Sequence, residues 1–181
     1  MKEIKLILQQ AQILQQNINE LPGTHRPELA DSSTLTLEQI VTDKELYTTV
    51  AKLFHDGHHA EAVKKAYLYL NNLVKKLSQS GGDGAGLMRN AFNAKKPALK
   101  LNAMSNSSEV SEQQGYMDIY AGVMTGIRNP RAHEHDWEDT EGRALQLLSL
   151  ANHLVLRAKA SKNPSASSNA KSTTSPTATK T

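Results

Sequence analysis

The chain has 181 residues, 38% of them hydrophobic and 4% aromatic, and it contains no cysteine. That length allows one domain of moderate size with appendages. The missing cysteines exclude disulfides, thiolate metal sites and a cysteine nucleophile.

The net charge of +3 rests on a tail that carries Lys162, Lys171 and Lys180 and no acid; without those three, 18 basic residues face 18 acidic ones. A pI near 9.0 is therefore poor evidence for a basic nucleic-acid face, and any such binding must come from a local site. No stretch has the length and apolarity of a bilayer span. Gln9, Gln10, Gln12, Gln15 and Gln16 interrupt the apolar run that a signal peptide would need. The expectation is a cytoplasmic chain without a membrane segment or cofactor.

Residues 1–35 read as an N-terminal amphipathic helix and a linker. Ile4, Ile7, Ala11, Leu14, Ile18 and Leu21 alternate steps of three and four, which suits a helix docked on its own domain or a dimerising coil. Pro22-Gly23 ends it. A second helix starts at Thr36, where Gln39 completes a capping box, and carries Leu37, Ile40, Tyr47, Val50 and Phe54 on one face. "HDGH" reverses the chain into a third helix with Ala62, Val63, Ala66, Leu70, Leu73, Val74 and Leu77 as its core stripe. So short a connection predicts an antiparallel hairpin.

Asp83 can cap a short helix bearing Leu87, Met88, Ala91 and Phe92, with Pro97 as its stop. A long helix over residues 109–128 follows. Its Gly115, Gly122 and Gly126 are tolerable if another backbone packs closely there. The last helix spans about 140–159. Residues 161–181, rich in Ser, Thr, Ala and Lys, read as a disordered tail. The prediction is an all-α domain over residues 36–160: four long helices and one short insert.

The residues that chemistry could use gather at "GIRNPRAHEHD", residues 126–136. Asn129-Pro130 should break the helix, since proline disfavours the α region for the residue before it. Arg128 and His133 would then flank a rigid corner. Metal-free RNA cleavage needs a base for the 2′-hydroxyl, an acid for the leaving 5′-oxygen and donors for the phosphorane charge. Histidine transfers protons near neutral pH, arginine's fork matches phosphate oxygens, and an Asn amide adds a neutral donor. One histidine cannot easily be both acid and base, but a symmetric dimer would supply two. The same residues also read as a capped corner, with Glu134, Asp136, Glu138 and Asp139 near enough to satisfy the cations. Arg131 and His135 could touch an RNA backbone or stand exposed. Trp137 suits packing against the last helix, with base stacking as its other use. His55, His58, His59, His133 and His135 lack the spacing of a metal motif, so no metal is expected.

"RNPRAH", Arg128 to His133, resembles the Arg-x4-6-His motif of the HEPN superfamily (higher eukaryotes and prokaryotes nucleotide-binding). "LFHDGHHAEAVKKAY", "DGAGLMRNAF" and "QQGYMDIYAGVMTGIRNPRAHE" are similar to the Ymh-type branch of that superfamily, over about residues 36–160. The resemblance implies a dimerising HEPN-like four-helix bundle and a metal-independent endoribonuclease, with RNA as substrate. It also implies an antitoxin, phage-defence or prophage setting. Arg128 would polarise the phosphate, Asn129 would orient it and His133 would move the proton. Glu61 and Lys65 match an acid–lysine pair four apart in some branches, a spacing that also makes an ordinary surface pair. Some HEPN members only scaffold, so a non-catalytic module binding RNA, nucleotide or a partner protein is the alternative expectation.

Overall fold

Thr36 opens the first helix as its sequence implies, its N–H donating to Gln39 Oε1 at 2.9 Å. The computed structural model describes residues 35–134 and 136–163, and in it the single helix expected over 36–54 is two, α1 (Leu37–Ile40) and α2 (Lys44–His55). Asp43 makes the break. Its carboxylate accepts from the Leu46 N–H at 3.0 Å, and its own N–H donates to Asn152 Oδ1 at 3.0 Å. A local cap and an acceptor from the far end of the chain together outcompete a continuous helix.

Gly57 turns the chain with φ +81°, a conformation that suits glycine. Then α3 (His59–Ser78) runs through the middle of the fold, packing against α2, the last helix and the elements on either side of Arg128. It buries Ala62, Val63, Ala66, Leu70 and Val74 of the stripe its periodicity predicts, adds Tyr67, and leaves Leu73 and Leu77 half-buried. The short α4 (Gly84–Ala91) ends at Phe92, well before Pro97. After it come α5 (Ser107–Val123), α6 (Asn129–His133) and α7 (Glu141–Ala160). Asn106 and Thr140 cap α5 and α7 by accepting from the Glu109 and Arg143 N–H groups.

The described chain is all-helical. Lys100 and Lys162 exchange two backbone hydrogen bonds of 2.9 Å as an isolated antiparallel bridge, and the Asn163 side chain donates to Leu77 O at 2.9 Å. The first three residues of the expected tail, 161–163, are thus held against the domain. The amphipathic segment 3–21, its linker, His135 and the chain after 163 lie outside the described residues. No described helix is long and apolar enough to cross a membrane.

Two tyrosines tie the elements to α7 by their hydroxyls. Tyr67 donates to Leu147 O at 3.0 Å and Tyr120 to Leu154 O at 2.7 Å. The Tyr120 ring also stacks on Phe92 with centroids 4.1 Å apart, a favourable aromatic contact beyond the area it buries. Gly115 and Gly122 of α5, and Gly126 just beyond it, do not meet another backbone: a Cβ added at any of them would find nothing within 4 Å.

Gln113 sits in the apolar register of α5 and is 0% exposed. Its amide donates to Phe92 O at 2.9 Å and Leu99 O at 3.0 Å, and accepts from Leu101 N at 2.9 Å. One side chain therefore completes the backbone hydrogen bonding of an irregular connector that has no ladder of its own. Replacing it with Met would strand three backbone groups. At about 1–3 kcal/mol for each buried unsatisfied group, Gln113→Met should lower unfolding stability in urea by about 3 kcal/mol or more. A loss below about 1 kcal/mol would show that water replaces the amide.

Candidate functional site

The helix does not break at Asn129-Pro130. Past Val123 the coil widens into a π-helical turn over Met124–Arg128, closed by the Asn129 N–H on Met124 O. Asn129 remains helical at φ −63° and ψ −45°, and the chain leaves the helix only at Glu134, with ψ 114°. The π turn carries one extra residue, and Pro130 falls in the first turn of α6, where a missing N–H is no loss. Met124 is buried, and the turn packs on α3 and α4. Those contacts override the local bias of a residue before proline.

Arg128 and His133 therefore lie along one helical path rather than across a corner. Five residues at the α-helical rise and rotation separate them by about 7.5 Å along the axis and about 140° around it. Arg128 is half-buried, and among the described residues its side chain bonds only Asn129, from Nη1 to Oδ1 at 3.2 Å. No carboxylate among the described residues lies within 4 Å of it. His133 is exposed and has no hydrogen bond or ion pair among the described residues.

Arg131 behaves in the opposite way, and neither expectation for it, contact with an RNA backbone or an exposed position, fits where it lies. It is 4% exposed. Its Nε and Nη2 donate to Asp139 at 2.6 and 2.7 Å, and Nη1 donates to Ile127 O at 2.8 Å. The Asp139 side chain is fully buried, with Arg143 3.4 Å away, and Arg131 lies over the Trp137 ring at 5.2 Å. Trp137 thus packs at the entry to α7, as its position suggests.

Glu61 and Lys65 do not pair. Glu61 forms its ion pair with Lys64, three residues on, while Lys65 is exposed. Glu61, Lys64 and Arg131 line a cavity of about 700 Å³ together with His58, His59 and Trp137. Arg128, Asn129 and His133 are not in its wall. Glu134 and Glu138, also in the wall, have no cationic partner among the described residues, so the cavity does not present itself as a phosphate site. No group of three or more His, Cys, Asp or Glu among the described residues is placed to hold a metal ion.

A family model described as "Protein of unknown function (Hypoth_ymh)" matches residues 41–157. The chain belongs to the Hypoth_ymh family. No curated protein and no solved structure gives a significant match. The Hypoth_ymh span runs from just before α2 into the last turn of α7. It contains the π turn, the Arg131–Asp139 pair and the cavity.

In this Hypoth_ymh chain, burial alone would raise the Asp139 carboxyl. The hydrogen bonds and charge of Arg131, helped by the charge of Arg143, outweigh burial and hold it below its ordinary value of 3.8. Since folding lowers this pKa, the ionised pair stabilises the fold fully above the unfolded value and loses that effect as pH falls through the folded one. Asp139→Asn should destabilise the protein at neutral pH by about 3–5 kcal/mol, because it leaves a buried guanidinium uncompensated. In chemical denaturation the gap between wild type and variant should narrow below about pH 4. A gap that stays constant with acid would show that the ionised pair does not supply the stability.

Proposed function

We propose that the chain is a metal-independent endoribonuclease of HEPN type, acting as a homodimer on RNA. The observation that carries this reading is the unequal treatment of two neighbouring arginines. Arg131 is sealed against Asp139, whereas Arg128, beside the Asn129 amide and five residues before His133, has no carboxylate within 4 Å among the described residues, and His133 has no partner among them. A half-buried guanidinium with no carboxylate beside it among the described residues suits an anion that arrives from outside.

Arg128 and His133 point apart within one chain, so the reading requires a second copy to bring one chain's histidine to the other's arginine. Ile119 on α5 is 44% exposed, and Gly115, Gly122 and Gly126 follow the same exposed stripe. That face would let two helices approach closely. In the dimer one His133 takes the proton of the RNA 2′-hydroxyl as its oxygen attacks phosphorus. The second protonates the departing 5′-oxygen, leaving a 2′,3′-cyclic phosphate and a 5′-hydroxyl. Arg128 neutralises the phosphorane charge, and Asn129 orients the phosphate.

The test is cleavage of total RNA in EDTA by the purified full-length chain, with each protein's mass measured in parallel. Wild type should cleave. His133→Ala and Arg128→Ala, folded and dimeric, should each lose about 100-fold or more. Ile119→Glu should be monomeric and inactive with both groups intact. No cleavage by the dimeric wild type would turn the reading to the non-catalytic module. Equal cleavage by all variants would place the activity elsewhere.

A further inference from the structure

Two stretches that carry cations and no acid are brought together by the fold. Between Asp83 and Glu109 stand Arg89, Lys95, Lys96 and Lys100, and from Lys162 onward come Lys171 and Lys180. Lys100 and Lys162 meet as the isolated antiparallel bridge, each N–H donating to the other's carbonyl at 2.9 Å. Such a pair holds its Cα atoms about 5.5 Å apart and puts both side chains on one face. Lys162 is fixed from both sides, since Ser161 Oγ donates to Ala158 O at 2.7 Å and Asn163 Nδ2 donates to Leu77 O at 2.9 Å.

Lys95 and Lys96 belong to the same region. The Leu99 N–H donates to Ala91 O at 2.8 Å and closes residues 91–99 into a loop. Inside that loop Asn93 Oδ1 accepts from the N–H groups of Lys95 and Lys96, at 2.9 and 3.2 Å, and so sets their backbone. Four residues of chain keep the Lys96 Cα within about 14 Å of that of Lys100. Lys95, Lys96 and Lys162 are exposed and Lys100 is half-buried, and none of the four has an ion pair among the described residues. By contrast Lys52, Lys64, Lys75 and Lys159 each sit against a carboxylate. Like charges directly opposite each other across a ladder are unfavourable, yet the bridge sets Lys100 against Lys162. An anion from outside would turn that repulsion into binding.

We infer that Lys95, Lys96, Lys100 and Lys162 form a landing surface for the phosphodiester backbone of a nucleic acid. The surface does not include Arg128, and it does not rest on the reaction proposed above. Lysines that touch only phosphates hold a strand without reading its sequence, and each contact releases counterions. Among the described residues the large exposed apolar side chains are Leu35, Val110, Ile119 and Leu156, none of them in the loop or the bridge. The surface therefore lacks the apolar residues by which basic segments enter a lipid interface. It lacks equally the aromatic anchors that protein partners use.

The experiment is fluorescence anisotropy of the full-length chain with a labelled oligodeoxythymidine, which has no 2′-hydroxyl and cannot be cleaved by the proposed route. Lys100→Gln and Lys162→Gln should each weaken binding about 5-fold at about 0.1 M salt. Each should also lower the salt slope by about 0.7, the share of one phosphate contact on a single strand. The double variant Lys95→Gln/Lys96→Gln should lose about 25-fold. Lys162→Glu should bind more weakly still while melting no lower than wild type, because it turns a like-charged pair into an opposite one. Lys52→Gln, on α2, should leave binding unchanged, and thermal melts would show that each variant folds. The inference fails if the wild type does not bind, if the variants of the four lysines bind as wild type does, or if Lys52→Gln loses as much as they do. A loss in Arg128→Ala alone would place the phosphate contact at that residue, sinking this surface and leaving the proposed reaction standing. Binding to phosphatidylserine vesicles in place of the oligonucleotide would assign the lysines to a membrane and overturn it as well.

Discussion

A guanidinium closed off from water must receive its counter-ion from the fold, and at Arg131 this requirement organises the region that carries the candidate chemistry. Asp139 supplies the charge from the stretch leading into α7, with two short hydrogen bonds. Ile127 O supplies a third from within the π turn. Three pieces of chain, the π turn, α6 and the entry to α7, are thereby fixed to one planar group. The cavity beside α3 is walled by the same pair. Together with the burial of Met124, the pair sets where Arg128 and His133 stand.

Distribution of polar groups separates what holds this protein together from what it could act with. Gln113, Asn71, Asn152 and Arg131 are buried, and each is engaged with backbone or with a charged partner. They stitch irregular stretches to helices, which low-aromatic cores do poorly by packing alone. Arg128 and His133 are more open and more loosely tied. The proposed phosphate chemistry draws only on this second group.

The helical class was legible in the chain, because the apolar stripes of α3 and α7 recur at helical spacing and turn residues punctuate them. The signal failed where side chains outweighed periodicity. Asp43 splits a helix that Leu37 to Phe54 would draw as one, because its backbone partner, Asn152, lies far along the chain. At the candidate site, sequence could collect Arg128, Asn129, Arg131 and His133 but could not sort them. Which arginine faces inward depends on helical phase, and one extra residue in the π turn resets that phase. Glu61 was placed correctly on α3 with the wrong lysine: three residues and four both bring side chains together on a helix. Asp83 looked like a cap because its position is one. Only the contact with Asn71 reveals that its carboxylate points elsewhere.

The π turn also bears on how this stretch can vary over time. A π turn is an α-helix with one residue added, so removing one residue between Met124 and Arg128 would restore ordinary coiling and leave α6 in nearly its present phase. Arg131 would keep its place against Asp139, whereas a deletion in an ordinary α-helical stretch rotates all that follows by about 100°. The turn is thus a place where the chain can lose a residue without resetting the buried pair. Relatives that keep the pair can differ by one residue here, with an ordinary helical turn where this chain has a π turn.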